Sequence, residues 1–173
     1  MNNYKQKPFI PAIQKTSTLL ILSLIAMVAF IISLNSTIIE VSSSYNTKVE
    51  AASLMKKSMN ILKTNRMVSS VFIDDENDPN ETGLVGSPFS LITTDEGDLD
   101  AKLTTLDPNF SAGMVELMVQ IGIEKNDTVA VLLTGSMPGG NIAVLTALKA
   151  FGAYSVVITS VGASQWGANH IDF

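Results

Sequence analysis

The chain has 173 residues, enough for one domain plus an anchoring segment, and its hydrophobic fraction of 46% is unevenly spread. Sixteen acidic and eleven basic residues give a formal charge of -5, and the absence of cysteine excludes disulfides and thiolate metal sites. Charge is segregated: residues 1–15 and 40–70 each carry +3, whereas residues 71–173 carry -11, a balance that repels nucleic acid.

Lys5, Lys7 and Lys15 make a basic segment over residues 1–15. The nineteen residues 16–34 that follow hold no charge. As a helix, that length comes close to spanning the hydrocarbon layer of about 30 Å. Residues 16–39 are therefore expected to be a transmembrane anchor. A cleaved signal peptide shares the lysine-rich start. However, this apolar run exceeds the usual signal-peptide length, and no small-x-small cleavage site follows closely. More lysines precede the run than follow it at once, where Lys48 stands alone. The bias places the N-terminus in the cytoplasm and the domain outside, so a single-pass cell-membrane location is expected.

Residues 40–73 read as linker and stalk. The polar residues 41–46 precede a helical pattern over 47–70, free of glycine and proline, with Leu54, Met55, Met59, Ile61, Leu62 and Met67 set against Lys56, Lys57, Lys63 and Arg66. Two roles fit this helix: lying near headgroups or a polyanion, or packing on the domain as a solvated stalk. The second is the simpler. Residues 74–86 are acidic and rich in turn formers, but the spacing of a calcium loop is missing. A short extended piece over 89–93 and a polar loop through Asp95, Gly97 and Asp98 come next. Asp107 to Asn109 can cap a helix over 110–121 that Gly122 ends.

Residues 128–134 form a near-continuous apolar run, the pattern of a strand buried on both faces. A glycine-rich turn over 135–140, a helix over 141–151 ended by Gly152, and a second apolar strand over 154–161 complete a βαβ unit with parallel strands. The fold expected for residues 74–173 is thus α/β, a partial Rossmann-like domain truncated at its C-terminus, since two or three strands cannot make a covered sheet. Ligands of such units sit beyond the carboxyl ends of the strands. Two polar loops lie there, 135–141 and 162–169. The first meets a helix N-terminus, where amides attract anions and Gly135 permits close approach. A carboxylate or phosphate is the expected guest.

Sharper motifs fail. The dinucleotide glycine spacing is absent, Asn141 stands where a Walker loop has lysine, and Thr134 and Pro138 replace the glycines of a nucleophile elbow. Ser136 still sits at a strand-to-helix turn. His170, the only histidine, is a candidate base for it, with Asp172 or Asp127 as orienter. No metal site and no cofactor is expected.

At these loops the sequence resembles the poly-γ-glutamate system protein family. The resemblance is carried by Asp78-Pro79-Asn80 with Thr82 to Gly86, Ser90 with Ile92-Thr93-Thr94 and Gly97, Ala101-Lys102, and Pro108-Asn109-Phe110. It continues in Gly135-Ser136 with Pro138 and Asn141-Ile142-Ala143, and in Ser160 to Ser164 with Trp166 to Asn169. It covers about residues 75–173 and departs at Gly139-Gly140, where bulkier residues are expected. It implies a membrane-associated accessory component of poly-γ-glutamate biosynthesis and export, acting with the ligase and export subunits. It also implies longer family members. Within that frame, Thr93, Thr94, Lys102, Gly135, Ser136, Asn141, Ser164, Trp166 and Asn169 are the residues expected to form a shared polar site. Lys102 would be the counter-charge for a γ-glutamyl carboxylate. Turn and cap chemistry explains Thr93, Thr94 and Asn141 equally well, and Trp166 is also suited to covering a sheet edge. The expected role is to bind an anionic γ-glutamyl segment or a partner subunit. The alternative is an extracytoplasmic serine-type hydrolase or amide-transfer enzyme using Ser136.

Overall fold

The computed structural model describes residues 11–36, 40–68 and 74–170 and divides into two units, residues 1–41 and 42–173. The first unit contains helix α1, Thr16–Asn35, preceded by one 3-10 turn over Ala12–Gln14. Its 20 residues bury nothing within the protein. It is long and apolar enough to cross a membrane. The helix ends where Asn35 Nδ2 donates to the Ile31 carbonyl (2.9 Å). The anchor expected to run to residue 39 is thus helical to Asn35, and residues 37–39 lie outside the described residues.

The second unit is built from α2 (Tyr45–Val68), α3 (Leu99–Thr105), α4 (Asn109–Gln120), β1 (Thr128–Leu133), α5 (Pro138–Phe151) and β2 (Tyr154–Thr159). The βαβ unit is present. β1 and β2 pair in parallel, in register from Thr128 opposite Tyr154 to Leu133 opposite Thr159. Helix α5 begins earlier than its apolar pattern suggests, because Pro138 occupies the first turn, where its missing N–H costs nothing. Gly139 and Gly140 therefore belong to the helix. It ends at Gly152, whose φ of 78° is the left-handed stop that glycine takes freely.

Helices α2, α4 and α5 pack on one another, and α3 packs on α5. One apolar cluster joins Ala51, Val115, Met118, Val131, Ala147 and Leu148; a second joins Met55, Met59, Leu84, Val85, Leu106 and Ala143. Both clusters draw on α2 and α5, which explains why the apolar stripe of α2 is broad. Between α4 and α5, buried Ser111 bonds the Thr146 hydroxyl (2.8 Å) and donates to the Ala143 carbonyl (3.0 Å), so the polar pair is satisfied in place.

Three expectations are corrected. Strand β1 is covered on one face only, and β2 is exposed at all six positions. Val131 is buried and Val129 and Leu133 pack against the first cluster, but Leu132, Tyr154, Val156 and Ile158 are exposed, Leu132 by 77%. The apolar run suits a two-sided environment that the described residues do not provide. The piece at 89–93 is a turn rather than a strand, making one parallel bridge from Thr93 to Ala163. The polar loop expected through Asp98 gives way at Leu99 to helix α3, which was not expected; Asp98 caps it, its Oδ1 accepting from the Ala101 N–H (3.0 Å).

Candidate functional site

The two loops at the carboxyl ends of β1 and β2 meet, together with residues 84–97 and Lys102 of α3. The sequence brings these groups together through small residues. A Cβ on Gly135 would lie 2.9 Å from the Ala163 side chain and the Gly162 carbonyl, and one on Gly167 would lie 2.6 Å from the Gly135 carbonyl. Backbone thus packs on backbone where a ligand was expected. Gly135 N–H donates to the Gly162 carbonyl (3.1 Å), and the Gly135 carbonyl accepts from Ala168 N–H (2.7 Å). Ser136 N–H donates to Thr134 Oγ1 (3.2 Å). Ser136 Oγ accepts from Ser164 N–H (3.0 Å). Asn141 Nδ2 donates to the Thr134 carbonyl (2.6 Å), closing the turn between β1 and α5.

Lys102 is buried, with 4% of its surface exposed. Its ammonium donates to the Ser136 carbonyl (2.5 Å) and to Ser164 Oγ (2.9 Å), and lies 3.9 Å from Met137 Sδ. Among the described residues no carboxylate reaches it within ion-pair distance. Burial holds its ammonium below the ordinary lysine value, and the field of Asp98 opposes that shift. Lys102 therefore works as a crosslink between the two loops rather than as an exposed counter-charge for a ligand.

Asn169, fully buried, does the equivalent work on the other side. Its Oδ1 accepts from Ser87 N–H (2.9 Å), while its Nδ2 donates to the Ser87 carbonyl (2.7 Å) and to Thr93 Oγ1 (2.9 Å). The side chain pairs with Ser87 as a neighbouring strand would. Thr93 Oγ1 also accepts from Ser90 N–H (2.8 Å), and Ser90 Oγ donates to the Asn169 carbonyl. Thr94 N–H donates to the Ala163 carbonyl (2.9 Å), leaving the Thr94 side chain exposed. Trp166 has a φ of 62°; its N–H donates to the Ser87 carbonyl (3.0 Å) and its ring packs against the cluster of Leu84 and Val85.

The structure thus gathers Thr93, Lys102, Gly135, Ser136, Ser164, Trp166 and Asn169 into one seam, with Thr94 and Asn141 at its borders. The Gly135 amide, expected to face an anion, is turned to the Gly162 carbonyl of the other loop, and the Ser136 amide to the exposed Thr134 hydroxyl two residues before it. His170 is half-buried directly after Asn169. Asp172 lies outside the described residues. Asp127 cannot orient a base at Ser136: it precedes β1 and Ser136 follows it, so a six-residue strand of roughly 20 Å separates them. Its Oδ2 accepts instead from Glu124 N–H (2.8 Å).

Sequence reasoning passed over Gln165, whose N–H donates to the Asp95 carbonyl (3.0 Å) and whose Oε1 accepts from Gly97 N–H (3.2 Å). It also undervalued the acidic loop. Asp78 is buried and accepts from Gly83 N–H (2.7 Å) and the Thr82 hydroxyl (3.0 Å), so one acid of that run is a loop cap. The Asx-type pattern of Asp followed by Thr-Gly was the available signal.

The chain is a mixed α/β protein with one parallel strand pair and an N-terminal helix of membrane-spanning length. No protein-family model, no curated protein and no solved structure matches it.

Proposed function

We propose that this chain is a membrane-anchored, non-catalytic accessory component of a poly-γ-glutamate system, held at the cell membrane with its domain outside and working through contact with a partner subunit such as the ligase or an export component. The family reading comes from the resemblance of the loop motifs. The choice of an accessory role over an enzyme is supported by one observation: Ser136 Oγ accepts from Ser164 N–H and its carbonyl accepts from the Lys102 ammonium, so both oxygens help to hold the two loops together. A nucleophile needs its hydroxyl directed to a base and a reacting atom beside it. A contact through a partner subunit, rather than a γ-glutamyl ligand in the Ser136 loop, is favoured by the backbone packing that fills this loop. It is favoured also by the apolar outer face of the strand pair, which a protein contact would cover.

The test is a Ser136→Ala chain expressed in a cell that makes poly-γ-glutamate, read by polymer yield, polymer length and co-purification of the ligase and export subunits. The expected result is unchanged polymer and unchanged co-purification. Loss of polymer release with co-purification intact would establish the hydrolase or amide-transfer alternative instead.

A further inference from the structure

Helix α2 has two faces. Ala51, Met55 and Met59 are buried against the domain. At 100° per residue, Val49, Lys56, Lys57, Ile61 and Met67 fall within an arc of about 140° on the opposite side. Val49, Ile61 and Met67 are exposed by 52%, 54% and 62%, and both lysines are exposed as well.

The flanking lysines of α2 are committed to the domain: Lys48 pairs with Glu116 (2.6 Å) and Lys63 with Glu81 (3.6 Å). Lys56 and Lys57 pair with no acid among the described residues, although residues 71–173 carry fourteen acids against three bases. The sector's one acid, Glu50, lies about 9 Å along the axis from Lys56. One shallow groove beside the lysines is lined, among the described residues, by Ser53, Asn60, Ile61 and Thr64 of α2, while Lys56 also borders a second hollow with Asn80, Thr82 and Asp107.

Among the described residues the first groove has one helix as its wall, which holds a small ligand from one side only, whereas a planar array of headgroups needs no further walls. The three apolar side chains decide between the remaining anions. A soluble polyanion has no use for them. A bilayer takes them below its headgroups while the lysine stems snorkel and their ammonium groups meet lipid phosphates. The rest of the domain is acidic and would be repelled by the same surface, so only this face can settle on it. Nine residues separate Asn35 from Tyr45, a reach of at most about 30 Å. A membrane-spanning α1 therefore keeps α2 at high local concentration over the lipid.

We infer that α2 is an interfacial helix, laying its Val49, Lys56, Lys57, Ile61 and Met67 face on an anionic bilayer surface and thereby setting which side of the acidic domain faces outward. The inference rests on the anchoring role of α1.

The test uses the full chain in lipid nanodiscs, either all phosphatidylcholine or half phosphatidylglycerol. A water-soluble amine reagent and mass spectrometry report acylation at each lysine. In the anionic discs Lys56 and Lys57 are expected to react more slowly, by about fivefold, the effect of one lysine's attraction to an anionic surface. The exposed Lys125 and Lys149 serve as unchanged controls. Ile61→Asp, at an exposed position that leaves the core intact, should remove the difference. Equal rates in both discs overturn the inference while leaving the anchor in place. Slowing that appears in phosphatidylcholine discs only on adding soluble poly-glutamate overturns it in favour of a soluble polyanion. Release of the chain from the discs by carbonate, a separate readout, refutes the anchor and takes the inference with it.

Discussion

Asn169→Ala removes three hydrogen bonds at once, those from Ser87 N–H and to the Ser87 carbonyl and Thr93 Oγ1. Two of the three partners keep another bond: the Ser87 carbonyl accepts from Trp166 N–H, and Thr93 Oγ1 accepts from Ser90 N–H. Ser87 N–H is left without its acceptor. Each lost bond is worth about 1 kcal/mol net, and an orphaned donor adds to that. A destabilisation of about 3 kcal/mol follows, equivalent to a fall of about 10 °C in Tm for a domain of this size. Asn169→Asp serves as the control because it keeps the volume. It turns an oxygen toward two acceptors, the Ser87 carbonyl and Thr93 Oγ1, and should cost as much or more. Trp166, the chain's single tryptophan, lies in the same seam and reports the transition by fluorescence during urea unfolding of the full chain in detergent micelles. If both variants unfold within about 1 kcal/mol of the parent, the claim that this seam holds the two loops together is wrong.

Two glycines side by side should respond oppositely. A Cβ on Gly139 would lie 2.5 Å from the Thr105 carbonyl, so Gly139→Ala must push α3 and α5 apart, and a loss of about 2 kcal/mol is expected in the same unfolding assay. A Cβ on Gly140 meets only Met137 Cβ at 3.5 Å, so Gly140→Ala should be neutral or gain up to about 1 kcal/mol from helix propensity. Lys102 gives a pH test. Burial lowers its folded pKa below the unfolded value, so the unfolded chain binds more protons across the window between the two, and stability contributed by this site rises with pH there. Lys102→Met removes that slope. The Tm difference between parent and variant should shift in the parent's favour as pH rises toward the ordinary lysine value of about 10.4. A difference independent of pH would show that burial does not hold the ammonium below its ordinary value.

The long apolar N-terminal helix and the βαβ unit were legible from the chain alone because their signals are local. A charge-free run, a proline at a helix start and a glycine at a helix end act over a few residues, and Gly152 stops α5 where the pattern says it must. Helix α3 was not legible, since its seven residues are too few to display a period and its cap, Asp98, looks like any loop acid.

The residue types of the polar site were also readable; their roles were not. Ser136, Lys102 and Asn169 carry the chemistry of a binding site in isolation, and whether their groups face a ligand or one another depends on partners far along the chain. Asn169 meets Ser87 across 82 residues, and Lys102 meets Ser164 across 62. The sequence thus determined a candidate membrane-spanning helix, a parallel strand pair and the glycine positions. Only the tertiary structure decided that the loops close on themselves, that one face of β1 and all of β2 stay exposed, and that α2 packs one face while presenting another. The physical reason is that a hydrogen bond or a buried contact spends a polar group irrespective of sequence distance, and local pattern carries no record of which distant group will arrive.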